Sequence, residues 1–326
     1  MVEEIPARSV ATTAEQTAVE EEERKQERAF RAAPRLNKSP LHGLWALTNR
    51  DLIKWYKNPI QLIISLIQPV VWLGLFGKAL NFGSFISSGI SSSNICAGLS
   101  ATACSAAKSA AEAAAYQQFF GVSSYFSFLS AGMLAFIILF TAAFAGMSVV
   151  WDRRFGFMNK ALSTPVGRGA IVIGKILQSV IRSLIQAAMV LIIAIILGMS
   201  TSHLTVVTIA GSFAILFLMA FGLSSLFVML ALRSSDWQTQ MAIINLLNLP
   251  LLFASNAMLP TSIMPAWLKT VVRFNPVSYA NDATRQLLLG STLKLAPLWM
   301  DFTVLIGFAA GLAVLGIIMS WKLLTK

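Results

Sequence analysis

Long apolar runs alternate with shorter polar intervals along most of this chain. A helix needs roughly 20 apolar residues to cross the ~30 Å hydrocarbon core of a bilayer, and at that length only helices satisfy their own backbone hydrogen bonds in lipid. The pattern therefore predicts an all-α membrane protein with six transmembrane helices in one domain over residues 39–326. We place the six spans at residues 59–80, 126–150, 171–199, 204–232, 240–259 and 298–321.

The chain before the first span divides into two parts. Residues 1–38 are polar, first acidic and then mostly basic, and we predict a disordered cytoplasmic tail there. Over residues 39–57 the apolar positions recur at helical spacing, with Ser39 as an N-cap and Pro40 at the first helical position. Since basic residues such as Arg50 fall on the opposite face, we predict an interfacial amphipathic helix in the inner headgroup layer.

The interval at residues 81–125 is rich in Ser and Ala and is predicted to be a long outer loop. An Ala-rich run at 101–115 in it could form a short helix. Cys96 and Cys104 also lie there, and either a disulfide or two free thiols fits an external location.

Residues 261–290 are neither a plain loop nor a span. Pro265 is placed to start one short helix, and Asn275 followed by Pro276 to start a second that stops at Gly290. Both helices are too short to cross the membrane fully, so we predict a re-entrant helical hairpin that dips from the outer face.

Composition and charge fit this arrangement. Mean hydropathy is +0.71 and 12% of residues are charged, about half the fraction usual for a soluble domain. With both termini inside, twelve Lys and Arg residues lie near the inner ends of the spans and six near the outer ends. This excess predicts that both termini are cytoplasmic. The net charge of +11 is then explained by membrane topology and contact with anionic headgroups, and not by nucleic-acid binding.

Two predicted spans carry polar residues, which usually face the protein interior because lipid disfavours them. They suggest either a translocation path or packing between helices or subunits through side-chain hydrogen bonds, and both interpretations stay open. The third span has Lys175, Gln178, Arg182 and Gln186 on one face; the fifth has Gln238, Asn245, Asn248 and Asn256 on a comparable stripe.

Catalytic and metal-binding patterns are absent from the sequence. Residues 169–175 spell GxxxxGK, but Ile176 stands where a phosphate-binding loop needs Ser or Thr, and no strand precedes it. The two His residues are far apart. We therefore predict a protein that is not an enzyme and binds no metal or nucleotide cofactor itself.

Two segments, Trp151 to Lys175 and Asn245 to Gly290, resemble the two signatures of type-2 ATP-binding-cassette exporter permeases, most closely the drug and polyketide-antibiotic branch. The likeness extends over about residues 41–326. The first signature is carried by Asp152, Arg153, Gly156, Leu162, Pro165, Val166, Arg168, Gly174 and Lys175. The second is carried by Pro260, Pro265, Trp267, Leu268, Asn275, Pro276, Ser278, Tyr279, Asp282 and Arg285.

The resemblance implies a permease subunit in the cell membrane that works as a homo- or heterodimer and exports a drug-like or lipid-like amphiphile. A separate ATPase subunit would hold ATP and Mg²⁺ and push on the 151–170 cytoplasmic coupling loop and the interfacial helix. The coupling residues would be Asp152, Arg153, Arg154, Gly156, Leu162, Pro165 and Arg168. The outer gate would be Asn275, Pro276, Tyr279, Asp282 and Arg285.

Three features depart from the family pattern: Arg154 replaces a common Glu, Asn256 replaces a common Gly, and the outer loop is long. The alternative to an ATP-driven exporter is a secondary transporter or channel driven by an ion gradient. That class usually shows inverted repeats and intramembrane acids, and the sequence offers neither.

Overall fold

The computed structural model describes residues 40–79, 100–158, 168–234 and 236–323, and within these ranges the chain is helical and has no strand. Two short irregular turns, π-helical Leu75–Ala79 and 3₁₀ Thr261–Ile263, accompany the α-helices. The helices are α1 Pro40–Tyr56, α2 Pro59–Gly74, α3 Ala101–Phe120, α4 Tyr125–Arg154, α5 Arg168–Ile196, α6 Val206–Arg233, α7 Trp237–Phe253, α8 Ala266–Phe274, α9 Pro276–Leu289 and α10 Leu298–Leu323.

Helix α4 is the centre of the molecule. It is 30 residues long, starts at the N-cap Ser124, and is buried along almost its whole length. Its sequence is apolar on every side, which is typical of a helix surrounded by others and not of one with a single buried face. Helices α2, α5, α6, α7 and α9 all pack against it.

Glycines let these helices approach closely. A Cβ atom on Gly146 of α4 would lie 2.5 Å from the carbonyl oxygen of Phe227 in α6. A Cβ on Gly222 of α6 would lie 2.5 Å from the ring of Phe308 in α10. Because membrane helices associate largely through such close packing, small residues at these contacts hold α4, α6 and α10 together.

Four segments among the described residues are long and apolar enough to cross a membrane: Thr102–Arg154, Gly169–Ile196, Val206–Arg233 and Leu298–Gly316. They overlap four of the six predicted spans, and one of these, 126–150, lies wholly within its segment. The other two predicted spans correspond to the shorter helices α2 and α7, with 16 and 17 residues. The structure thus agrees with an all-α protein with several apolar helices, and the number six stays a prediction.

The fifth span was predicted to continue to residue 259, but α7 ends at Phe253, three residues after Pro250. Pro250 lacks the N–H that would bond to the Leu246 carbonyl, which weakens the last turns of α7, and the residues after Phe253 form turns.

The hairpin boundaries agree with the prediction. Pro265 precedes α8, Asn275 caps α9, and Gly290 ends α9 with a left-handed φ of 60°. Whether this hairpin re-enters a membrane stays a prediction. Helix α3 includes the Ala-rich run and begins after the N-cap Ser100. The predicted tail at 1–38 and Cys96 lie outside the described residues, so the tail and the disulfide also stay predictions.

Candidate functional site

Four charged residues meet where α1, α4 and α5 come together, and we call them the ionic cluster: Arg50, Asp51, Asp152 and Lys175. The Lys175 ammonium donates to Asp51 Oδ2 at 2.5 Å and also pairs with Asp152. The Arg50 guanidinium donates to Asp51 Oδ1 at 2.6 Å and to Asp152 Oδ2 at 3.3 Å. Two cations thus balance two carboxylates from separate helices.

The ionic cluster is largely removed from solvent. Lys175 is 6% exposed, and an isolated ammonium at such a site would be strongly disfavoured. Burial alone would raise the pKa of Asp51, but the neighbouring Lys175 and Arg50 outweigh it and lower the pKa below its usual value. Asp51 is therefore ionised at neutral pH and holds α1 against α5.

Helix α1 buries Thr48 and Trp55 from the face that its periodicity predicted to be apolar, but Arg50 departs from that periodicity. Arg50 was expected to point away from the membrane domain, yet it is half-buried in the ionic cluster, while Trp45 and Tyr56 are exposed. The two carboxylates supply the partners that attract Arg50 inward. Thr48 is fully buried beside it, and its hydroxyl donates to the Gly174 carbonyl of α5 at 3.3 Å.

Arg153 joins the end of α4 to the end of α6. Its guanidinium donates to the carbonyls of Leu232 at 3.1 Å and Ser234 at 3.2 Å. These carbonyls belong to the last turn of α6, where backbone acceptors lack partners within the helix. Arg153 was predicted to face the ATPase, but in this structure it is engaged inside the chain.

The exposed residues at the same end of α4 form what we call the α4 end patch: Trp151, Arg154 and Phe155. Phe155 is 80% exposed and Trp151 50% exposed, and Gly156 follows with φ of 70°. Exposed aromatic and arginine side chains on a rigid element are typical of protein contacts. Of the other predicted coupling residues, Leu162 and Pro165 lie outside the described residues; Arg168 begins α5, and its side chain is not described.

The polar residues of the third span have different surroundings. Gln186 is fully buried; its amide donates to Ser65 of α2 at 2.5 Å and accepts from Thr141 of α4 at 2.6 Å. These bonds join three helices. Lys175, Gln178 and Arg182 instead line a cavity between α1, α4 and α5.

The four polar residues predicted for the fifth span do not form one stripe. Gln238 and Asn245 are exposed on α7, whereas Asn248 is buried. Asn256 lies beyond the end of the helix, and its carbonyl accepts a hydrogen bond from Arg285. The early end of α7 removes Asn256 from the predicted stripe, because helical periodicity no longer applies after Phe253.

Arg285 of α9 is the most enclosed of the predicted gate residues. It donates to the carbonyls of Phe128, Asn256 and Ala257 at 3.2, 2.6 and 2.7 Å. Its guanidinium also lies 3.5 Å from the ring centroid of Phe128. One side chain thereby ties α9 to the start of α4 and to the turns after α7.

Asn275 makes a second tie between α7 and the hairpin. Its amide nitrogen donates to the carbonyls of Leu251 and Ala254, both at 2.7 Å, and its oxygen accepts from the Val277 amide of α9. Pro276 follows at the first turn of α9. The Tyr279 hydroxyl donates to the Arg273 carbonyl at 2.7 Å and so links α9 to α8.

Asp282 is buried on α9. It is connected to Asp301 through Gln286, and neither of these two residues was singled out from the sequence. Its Oδ2 accepts from the amides of Leu295 and Ala296 at 2.8 and 3.2 Å. The Gln286 amide donates both to Asp282 and to Asp301 of α10, at 2.9 and 3.1 Å. Asp282 and Asp301 are 19 positions apart in the sequence, and no periodic pattern could have shown that Gln286 connects them.

Apolar helices of membrane-spanning length, tied at one end by a buried ionic cluster, define an integral membrane protein. The chain belongs to the ABC-2 type transporter family, whose model matches residues 42–289. It is a membrane permease of that family.

Relatives agree with this assignment. The chain is 27% identical over 246 residues to a protein of Cyanophora paradoxa named transport permease ycf38, covering 75% of this chain and 73% of the relative. It is 29% identical over 250 residues to the protein of the same name in Pyropia yezoensis, and the match covers 76% of this chain and 75% of the relative. The daunorubicin resistance ABC transporter permease protein DrrB1 of Streptomyces coeruleorubidus is 25% identical over 188 residues, and the match covers 58% of this chain and 64% of the relative.

Proposed function

We propose that this chain is the permease subunit of an ATP-driven exporter in the cell membrane, with both termini in the cytoplasm. A separate ABC ATPase subunit binds ATP and Mg²⁺, and a second permease copy completes the path. The cargo is an amphiphile, either drug-like or lipid-like. Membership of the ABC-2 family supports the division between permease and ATPase, and the name of the daunorubicin resistance relative supports export of a drug-like compound.

The single observation that carries the proposal is the arrangement at the end of α4. Trp151, Arg154 and Phe155 are exposed. Asp152 and Arg153, which lie between them, are held by contacts with other helices. Asp152 joins α1 and α5, and Arg153 joins α6. A push on the α4 end patch is therefore passed directly to three further helices.

The other end of α4 supplies the outward-facing part of the mechanism. Arg285 holds the carbonyl of Phe128 near the start of α4 and the turns after α7. Opening at the hairpin requires these buried hydrogen bonds to be exchanged for others. ATP can favour such an opening only if its binding to the partner stabilises the open state more than the closed one.

Binding to the ATPase subunit tests the docking part of the proposal. Arg154→Glu combined with Phe155→Asp should weaken binding at least about tenfold, because the few residues that dominate an interface cost about 2 kcal/mol or more when removed, and a tenfold change needs about 1.4 kcal/mol. These residues are better choices than Arg153, whose substitution would also remove its bonds to α6.

The measurement is co-purification and ATPase stimulation with the partner subunit. Lys269→Glu is the matched control, since Lys269 is exposed on α8 in the hairpin; it should bind as the wild type does. Unchanged binding and stimulation by the double variant would contradict docking at the α4 end patch.

A further inference from the structure

A cavity of about 380 Å³ opens between α1, α4 and α5, next to the ionic cluster. Its walls combine cationic, aromatic and apolar side chains. The residues that matter here are Lys54, Trp55, Phe144, Met147, Gln178 and Arg182.

Arg182 is the cation in this cavity that lacks a counter-charge. It lies seven residues after Lys175 on α5, which is roughly 10 Å further along the helix. Among the described residues, none of the ion pairs of Asp51 and Asp152 includes Arg182, and its Nε has no hydrogen-bond partner. Arg182 is half-buried, and a cation without a counter-charge within a membrane-spanning helix is disfavoured, so an anion in the cavity would stabilise it.

Trp55 lines the same cavity and carries a second donor. Its side chain is 5% exposed, and in the described part of the chain its Nε1 also has no acceptor. The Arg182 guanidinium lies 5.6 Å from the Trp55 ring centroid. Guanidinium and indole N–H groups can only donate, so these two side chains favour a ligand whose polar group only accepts hydrogen bonds.

The acids in the lining do not oppose an anion. Asp51 and Asp152 are both held by Lys175 and Arg50, so their charge is already balanced. The remaining charge is positive, from Arg182 and from Lys54, whose ammonium lies 3.9 Å from Asp51.

The remaining walls suit an apolar portion of the same ligand. Phe144 is 44% exposed and lines the cavity with Met147. Exposed aromatic surface next to a cationic donor pair is complementary to a molecule with an anionic head and a hydrocarbon part.

We propose that this cavity binds the phosphate-class headgroup of an anionic amphiphile, with Arg182 and Trp55 donating to the headgroup and Phe144 and Met147 contacting its apolar part. The inference rests on the proposed export function only in taking this amphiphile as the cargo class. A lipid headgroup and a free phosphate share the recognised chemistry, and the experiment separates them.

The experiment titrates the full-length purified chain in dodecyl maltoside with dioleoyl phosphatidylglycerol and measures binding by native mass spectrometry. Dioleoyl phosphatidylcholine and sodium phosphate are titrated in parallel. The wild type should prefer phosphatidylglycerol over phosphatidylcholine. Arg182→Gln should weaken phosphatidylglycerol binding about tenfold, because a hydrogen-bonded charge is lost, and Arg182→Lys should retain the preference.

Arg233→Gln is the matched control, because Arg233 is exposed at the end of α6 and outside the cavity; its binding should be unchanged. Should Arg182→Gln aggregate, Trp55→Phe removes a donor without changing charge and should weaken phosphatidylglycerol binding several-fold. Equal binding of both lipids, or no effect of either variant, would overturn the proposal. If sodium phosphate binds as tightly as phosphatidylglycerol, the proposal of an amphiphile ligand is overturned, and the cavity is a site for a free anion.

The assay contains neither ATP nor an ATPase subunit. Failure of lipid binding would therefore leave the export proposal intact, and failure of ATPase docking would leave this site intact.

Discussion

Lys175 shows how a charged residue can be stable inside an apolar helix domain. Its two carboxylate partners come from α1 and α4, and Arg50 completes the balance. Removing the lysine would leave two neighbouring carboxylates that repel each other, whereas the intact set is neutral. The ionic cluster is thus one unit, and each member depends on the others.

Lys175→Gln is accordingly expected to destabilise the protein by about 3 kcal/mol, the range found when one partner of a buried ion pair is removed. The measurement is thermal or denaturant unfolding of the purified chain in detergent. Lys54→Gln is the control, since its side chain is 64% exposed and 3.9 Å from Asp51; it should cost less than about 1 kcal/mol. Equal effects of the two substitutions would argue against a coupled cluster.

At this scale the sequence could single out residues but not their partners. Helical spacing placed Lys175, Gln178, Arg182 and Gln186 on one face of a span, and the structure buries most of that face. It could not show that Lys175 pairs with Asp51, because the two are 124 residues apart. Gln186 and Arg182 lie on the same predicted face, so the sequence does not distinguish their surroundings. In the structure Gln186 hydrogen-bonds to a neighbouring helix, whereas Arg182 lines a cavity.

Among the helices, α4 is buried because its neighbours can approach it closely. Gly146 lies against the backbone of α6, where a Cβ would be 2.5 Å from the Phe227 oxygen. A backbone atom cannot move aside as a flexible side chain could. An added methyl group must therefore separate α4 from α6.

Gly146→Ala is expected to destabilise the protein by about 1–3 kcal/mol, which is the usual cost of overpacking a core. Gly307→Ala is the control, because Gly307 lies on α10 with no atom within 4 Å of an added Cβ. The control should be neutral or slightly stabilising, since alanine favours helix. Unfolding of both variants in detergent checks this, and a harmless Gly146→Ala would contradict the close contact.

Helix boundaries were predictable where a local cap or breaker sets them. Proline and asparagine at 265 and 275 and glycine at 290 set α8 and α9 as expected. The end of α7 was not predicted, because apolar composition continues beyond Phe253 while Pro250 and the hydrogen bonds from Arg285 and Asn275 favour turns there. Those bonds come from residues far along the chain, and periodicity does not report them.

The whole molecule places its two sets of predicted functional residues at opposite ends of α4. A helix of 30 residues is about 45 Å long, enough to separate the α4 end patch from the hairpin held by Arg285. The ionic cluster and Arg153 fix the first end to α1, α5 and α6. Our account therefore needs these ends on opposite sides of the membrane, with the α4 end patch in the cytoplasm beside the ATPase.

Labelling from each side of the membrane measures this most directly. Arg154→Cys and Lys269→Cys, each in a chain carrying Cys96→Ser and Cys104→Ser, are treated in intact cells with a membrane-impermeant maleimide. The account predicts labelling at position 269 in intact cells and at position 154 only after permeabilisation. Labelling of position 154 from outside intact cells would contradict it, because no cytoplasmic ATPase could then reach the end of α4.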